Sequence, residues 1–151
     1  MNDASVDPKQ VAYSRFMAAH ASLRAAISEL MELNAKLPLE FYEVLVILDG
    51  EPENSIRLSA LADKACLSRS GLTRRLDRME RYGLVKRKQC EGDRRGADAV
   101  LTKDGAQTLE SAKPAYAAAV EALFGSKLTT GEAKQLAAVM NRLIEPLRSN
   151  G

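Results

Sequence analysis

The chain has 151 residues, 46% hydrophobic and 28% charged with a formal net charge of +2, the composition of a folded protein with its own core rather than a disordered one. Aromatic residues make up 5%, with no Trp, one His and two Cys, which speaks against a disulfide framework, a His-rich metal centre or a Ser-His-Asp triad. No apolar run is long enough to span a bilayer and Met1 to Asp7 is polar and acidic, so the expectation is a cytoplasmic protein, not an enzyme, with no cofactor, metal or membrane.

Residues 8–36 have no internal Gly or Pro and carry Phe16, His20, Leu23, Ile27 and Leu30 as an apolar stripe, which predicts a long helix. Pro38 ends it, and Leu39 to Leu48 form a second helix with Phe41, Val44, Leu45 and Leu48 on one face. Asp49 to Asn54 is loop by composition and Ile56-Arg57-Leu58 is β-prone. Ser59 is placed to cap a helix through Lys64, and Ser68 to cap one that reaches Tyr82 and stops at Gly83. Leu84 to Cys90 and Ala97 to Leu101 read as two strands joined by the turn Glu91 to Gly96. A helix from Thr102 carries Leu109, Ala112, Tyr116, Val120 and Leu123, with a kink expected at Pro114. Thr129 to Glu132 has capping-box spacing and opens a last helix with Leu136, Val139, Met140, Leu143 and Leu147.

These elements predict one domain over 1–151, mainly α with a small β-hairpin wing. Residues 39–102 form a winged helix-turn-helix lobe, and 8–36 with 103–148 form flanking helices. The apolar stripes of the first and last helices need a surface to cover them. Pairing across a two-fold axis supplies one, so the flanking helices are read as dimerisation helices of a homodimer.

Charge is unevenly spread. From Ser68 to Arg95 ten basic residues face four acidic ones, a local +6 that leaves −4 for the remainder. Such a basic block suits a polyanion. On the helix after Ser68, the residues Leu72, Leu76 and Met79 form the inner face and leave Arg69, Ser70, Thr73, Arg74 and Arg78 outside. A helix fits the major groove of double-stranded DNA, where Arg, Ser and Thr bond bases or phosphates. Ser68 starts a helix with no capping-box acid, so its amides can hold a phosphate, and an exposed Gly71 lets a DNA backbone approach. Arg75 and the strand residue Lys88 join the candidate DNA-binding set, with Lys88 near phosphates. Arg94 and Arg95 at the hairpin tip suit a minor groove. The competing possibility is that Arg74, Arg78 and Arg81 pair with Asp77 and Glu80 on a solvated helix.

The run Leu61-Ala62, Leu67-Ser68, Leu72-Thr73-Arg74, Leu76-Asp77-Arg78-Met79-Glu80, Gly83-Leu84-Val85, with Asp93-Arg94-Arg95, Leu101-Thr102 and Gly105, resembles the MarR family of bacterial regulators. The motifs cover about 58–105, and the flanking helices extend the likeness over nearly the whole chain. The resemblance implies dimeric winged-helix proteins that usually repress nearby genes and release DNA when a small aromatic or phenolic effector binds. It implies Ser70, Thr73 and Arg74 as groove contacts and Arg95 as the minor-groove reader. Cys66 departs from the Gly common in the turn, and Gly71 from a common Ser or Thr.

Effector candidates by that likeness are Met17, His20 and Arg24 on the first helix, and Tyr42, although His20 and Arg24 also suit an interface. Cys66, as a small buried or turn residue, and Cys90 in the wing are less favoured as redox sensors. Two other classes share the pattern. A non-specific architectural DNA binder would discriminate poorly between sequences, and a protein-interaction winged helix would lack the arginine tip and the polar helix face.

Overall fold

The structure is a computed structural model that describes residues 7–90 and 93–148, the side chains at 90, 93–95 and 148 falling outside the description. Helices α1 (Pro8–Ala35) and α2 (Leu39–Asp49) come first. Strand β1 (Ser55–Arg57), helices α3 (Leu58–Lys64) and α4 (Arg69–Arg81), and strands β2 (Val85–Cys90) and β3 (Asp93–Leu101) follow. Helices α5 (Lys103–Leu123) and α6 (Thr130–Arg148) complete the chain. The fold is mainly α with a three-stranded antiparallel sheet of order β1-β3-β2. It divides into two compact units, Ser28–Tyr116 in one and the described parts of Met1–Ile27 and Ala117–Gly151 in the other.

The first unit holds the core. Met31, Phe41, Val44, Leu45 and Leu48 pack with Leu61, Leu72, Leu76, Met79 and Leu109, all buried. Each of these side chains contributes about 1.5–3 kcal/mol by leaving water. The expected inner faces of α2 and α4 are therefore observed.

Two consecutive helices end in the same backbone device. After α4, Gly83 takes φ +69°, its N–H donates to the Glu80 carbonyl (2.9 Å) and the Leu84 N–H to the Met79 carbonyl (3.0 Å). After α3, Cys66 takes φ +53°, its N–H donates to Asp63 (3.1 Å) and the Leu67 N–H to Ala62 (2.9 Å). Both are Schellman closures, which need a left-handed residue just past the helix. Glycine fills one and cysteine the other. Of the two expected placements for Cys66, buried or in the turn, the second is observed: it is an exposed turn residue.

Long-range pairing shifts three expected boundaries. Strand β1 is Ser55–Arg57, one residue earlier than its β-prone triplet, because Ser55, Ile56 and Arg57 pair with Val100, Ala99 and Asp98. Helix α3 therefore starts at Leu58 directly from the strand; Ser59 lies inside it, and the cap position is Arg57 with no side-chain cap bond. Strand β3 begins at Asp93, not Ala97, since Asp93 pairs with Cys90. The register jumps from Gln89↔Ala97 to Cys90↔Asp93, so Arg94, Arg95 and Gly96 are extra residues on the β3 side of the hairpin. The two arginines belong to the strand rather than to the turn, and Glu91 and Gly92 at the turn lie outside the described residues.

The start of α5 explains another motif. The Thr102 hydroxyl accepts the Gly105 N–H (2.9 Å) and reaches the carbonyls of Gly83 (2.6 Å) and Leu84 (2.9 Å). A Cβ on Gly105 would lie 2.0 Å from the Leu84 carbonyl oxygen, so only glycine lets the helix start this close to the strand. Pro114 lies inside α5, which runs unbroken to Leu123.

In the second unit, Asp7 caps α1 by accepting the Lys9 N–H (2.9 Å), with Pro8 at the first helical position. At α6 the expected capping box is formed. Glu132 accepts from the Thr129 amide and hydroxyl (both 2.8 Å), and the Thr129 hydroxyl accepts the Glu132 N–H (3.3 Å). These bonds, the backbone one first, hold the Glu132 carboxyl below its ordinary range. Large apolar side chains stay exposed here: Val11, Tyr13, Phe16 and Met17 on α1, and Val139, Leu143, Ile144 and Leu147 on α6.

Candidate nucleic-acid interface

Helix α4 is the centre of the basic block. At about 100° per residue its inner face is Leu72, Leu76 and Met79, all buried. The same geometry puts Thr73, Asp77 and Glu80 on one flank and Arg75, Arg78 and Tyr82 on the other. Ser70, Arg74 and Arg81 lie between the flanks, on the outermost line, and are exposed.

The flank facing the wing is tied down by Arg87 of β2. Its guanidinium pairs with Glu80 and with Asp77 (2.8 Å) and donates to the Thr73 carbonyl (3.1 Å). Its backbone N–H donates to the same Glu80 carboxylate (2.8 Å). The two acids of α4 are thus engaged by a strand residue, and not by Arg74 or Arg81 along the helix.

On the other flank the partner is α2. Arg78 pairs with Glu40 (2.7 Å) and its guanidinium carbon lies 4.9 Å from the centre of the Phe41 ring. Arg75, half-buried, donates to the Glu40 carbonyl (3.4 Å). These two side chains, both among the expected DNA contacts, anchor the helix on α2.

At the helix start, Ser68 accepts the Gly71 N–H (3.1 Å) and lies 3.3 Å from the Ser70 hydroxyl. One of the amides expected to be open to a phosphate is thus taken by the cap itself. Gly71 is half-buried rather than exposed, and a Cβ there would lie 3.1 Å from Ser68 Oγ, so the glycine relieves the cap. Arg69 is exposed, and its carbonyl accepts the Thr73 hydroxyl (2.9 Å).

A cleft of about 420 Å³ opens between α4 and the sheet, with Arg57, Ser59, Arg69 and Thr73 among its polar residues and Leu72 and Leu76 among its apolar ones. Lys88 is exposed and falls on the opposite strand face from Arg87 by the two-residue alternation. The side chains of Arg94 and Arg95 lie outside the described residues.

The effector candidates are divided between the two units. Met17, His20 and Arg24 are exposed on successive turns of α1, with the Phe16 and His20 rings stacked at 6.4 Å. Tyr42 is buried in the other unit with its ring 4.5 Å from that of Tyr116. Burial, then the neighbouring Tyr116, pushes its phenol up. Tyr42 therefore has a stacking role in the core of its own unit. Glu40 and Arg87 are the organising residues that sequence patterning did not single out. The only sequence trace of Arg87 is a basic residue on the inward face of a strand beside apolar Val85.

A helix-turn-helix followed by a strand hairpin defines a winged helix, and comparison with known proteins agrees. Residues 37–96 match the MarR family profile. The chain is 30% identical to AbsC, a MarR family transcriptional regulator from Streptomyces coelicolor, covering 98% of this chain and 99% of that one with a TM-score of 0.85. The chain belongs to the MarR family of transcriptional regulators. That places it with regulators rather than enzymes. Another MarR family protein, Sco3205 from the same organism, is 28% identical with a TM-score of 0.86, covering 97% of this chain and 92% of its own, and its structure holds DNA. The transcriptional repressor MprA of Escherichia coli K12 is 29% identical over 106 residues, 70% of this chain and 60% of MprA. The match to this curated relative therefore spans less than two thirds of that protein's length. Among the described residues, no helix is long and apolar enough to cross a membrane.

Proposed function

We propose that this MarR family chain binds double-stranded DNA sequence-specifically as a homodimer and represses transcription until a small aromatic or phenolic effector releases it. The observation that carries the proposal is α4. It is held on both flanks by ion pairs while Ser70, Arg74 and, beside them, Arg69 and Thr73 remain exposed along its outer side. A rigid helix with Arg and hydroxyl side chains outermost is what base-edge recognition in a major groove requires. Ser68, Lys88 and the wing residues Arg94 and Arg95 extend the contact toward phosphates and the minor groove. The DNA held by Sco3205 supports DNA binding, and MprA's name supports repression.

A homodimer follows from the exposed apolar residues of α1 and α6, which a second copy would cover across a two-fold axis. In this scheme 1–151 acts as one regulator, the winged lobe reading DNA and the terminal helices joining two copies. Two lobes so joined read a pseudo-palindrome with half-sites about one helical turn apart. The effector is assigned to Met17, His20 and Arg24, where an arginine beside aromatic and thioether side chains suits an aromatic acid.

The test is selection of bound duplexes from random DNA, then measurement of affinity for the selected and a scrambled duplex. Arg74→Ala is expected to cost about 1–3 kcal/mol on the selected site and to relax base preference at one position. Equal affinity of the unaltered protein for both duplexes would refute sequence-specific binding. Release of the selected duplex by benzoate- or phenol-type compounds tests the effector arm.

A further inference from the structure

We infer that Arg87 is a positioning residue for DNA reading: it locks the recognition helix α4 to the wing through Asp77 and Glu80 instead of contacting phosphate. This rests on the proposal that the lobe binds DNA. Arg87 sits within the basic block, where a simple electrostatic account would assign every cation to the polyanion. Its geometry says otherwise. The guanidinium meets two carboxylates and a backbone carbonyl of α4, and the residue's own amide is held by one of those carboxylates. The side chain is only 26% exposed.

The contacts at Thr73, Asp77 and Glu80 span two turns of α4, so one side chain fixes both the rotation of the helix and its distance from β2. On the other flank Glu40 with Arg75 and Arg78 opposes the same rotation. Recognition demands such a fix. Major-groove contacts by Ser70 and Arg74 and minor-groove contacts by the hairpin must engage DNA together, and a rotation of α4 against the wing would spoil one set when the other docks.

The two carboxylates give the inference a sign that electrostatics alone does not share. Glu80→Gln removes a negative charge from a lobe facing DNA and would free Arg87 for phosphate. On charge alone, affinity for every duplex should then rise. The clamp predicts the reverse for the selected site, because an amide holds the Arg87 guanidinium weakly while still accepting its backbone N–H.

The experiment measures binding of the intact protein, Glu80→Gln and Arg87→Ala to the selected and scrambled duplexes over a range of salt. The expected result is a loss of order tenfold in the selected-to-scrambled affinity ratio for both variants, comparable to losing one base contact. The slope of log affinity against log salt should stay unchanged. Loss of folded protein alone would lower both affinities equally and keep the ratio, and that outcome counts against positioning. A drop of about one in the salt slope for Arg87→Ala makes Arg87 a phosphate contact and overturns the inference. So does tighter binding of Glu80→Gln to both duplexes. An intact protein that shows no preference overturns the DNA-reading proposal itself, whereas a preference retained by both variants overturns the clamp alone.

Discussion

The two compact units treat their apolar residues in opposite ways. In Ser28–Tyr116 the large side chains of α2, α3 and α4 are buried against one another, with Leu76 and Met79 at 0% exposure. In the other unit Leu143 is 55% and Leu147 78% exposed, on a helix whose apolar residues recur at helical spacing. The first unit covers most of its large apolar side chains within a single chain, Leu33, Val46 and Tyr82 being exposed exceptions. The other presents the kind of surface that is stable only when covered. Identical chemistry placed in the two units should therefore have different readouts, stability in one and assembly in the other.

Leu76→Ala gives the largest effect expected. A leucine lost from a closed core costs about 2–5 kcal/mol, measured by chemical denaturation as a lower midpoint at constant slope. Leu143→Glu should leave that midpoint little changed but convert the protein to a monomer in sedimentation. Affinity for a two-half-site duplex should fall about a hundredfold as bivalency is lost. A dimer that survives the substitution would move the two-fold contact away from α6.

Cys66→Gly tests the first unit in the stabilising direction. The residue holds a left-handed conformation that glycine adopts without steric cost, so unfolding should become harder by about 1 kcal/mol. A destabilised variant would mean that the thiol makes a compensating contact. The smallest effect concerns Glu132. Its folded carboxyl titrates below the ordinary value of 4.5, so its stabilisation is present above that pH and is lost as pH falls through the lower folded value. The helicity difference between the intact protein and Glu132→Ala should accordingly shrink on acidification below about pH 4.5 and stay constant near neutrality.

Features set within a few residues of each other were legible in the sequence. Ser68 and the Thr129–Glu132 box are caps, Gly83 is a helix stop, and the Leu72-Leu76-Met79 face is a helical period. The misplaced boundaries are those that pairing partners decide. Ser55 is a strand residue because Val100 lies opposite, Leu58 leaves the strand to start α3 and so takes Ser59 inside the helix, and Asp93 is a strand residue because of Cys90. For the same reason the candidate interface was only partly visible. Asp77 has Arg74 and Arg81 at helical spacing on its own helix, and nothing local indicates that the partner of Asp77 and Glu80 is Arg87 on a strand. Nor does the sequence of α4 show that Arg75 and Arg78 turn to Glu40, 35 and 38 residues earlier.

The Glu80 bond to the Arg87 amide has a second consequence. In the order β1-β3-β2 the wing strand β2 is an edge, and an edge strand offers its outward amides to any extended segment that drifts by. Glu80 occupies the amide at Arg87 with a charged acceptor carried by a neighbouring helix. One hydrogen bond thus performs two tasks, holding the helix to the wing and removing one of the amides that an added strand would pair with.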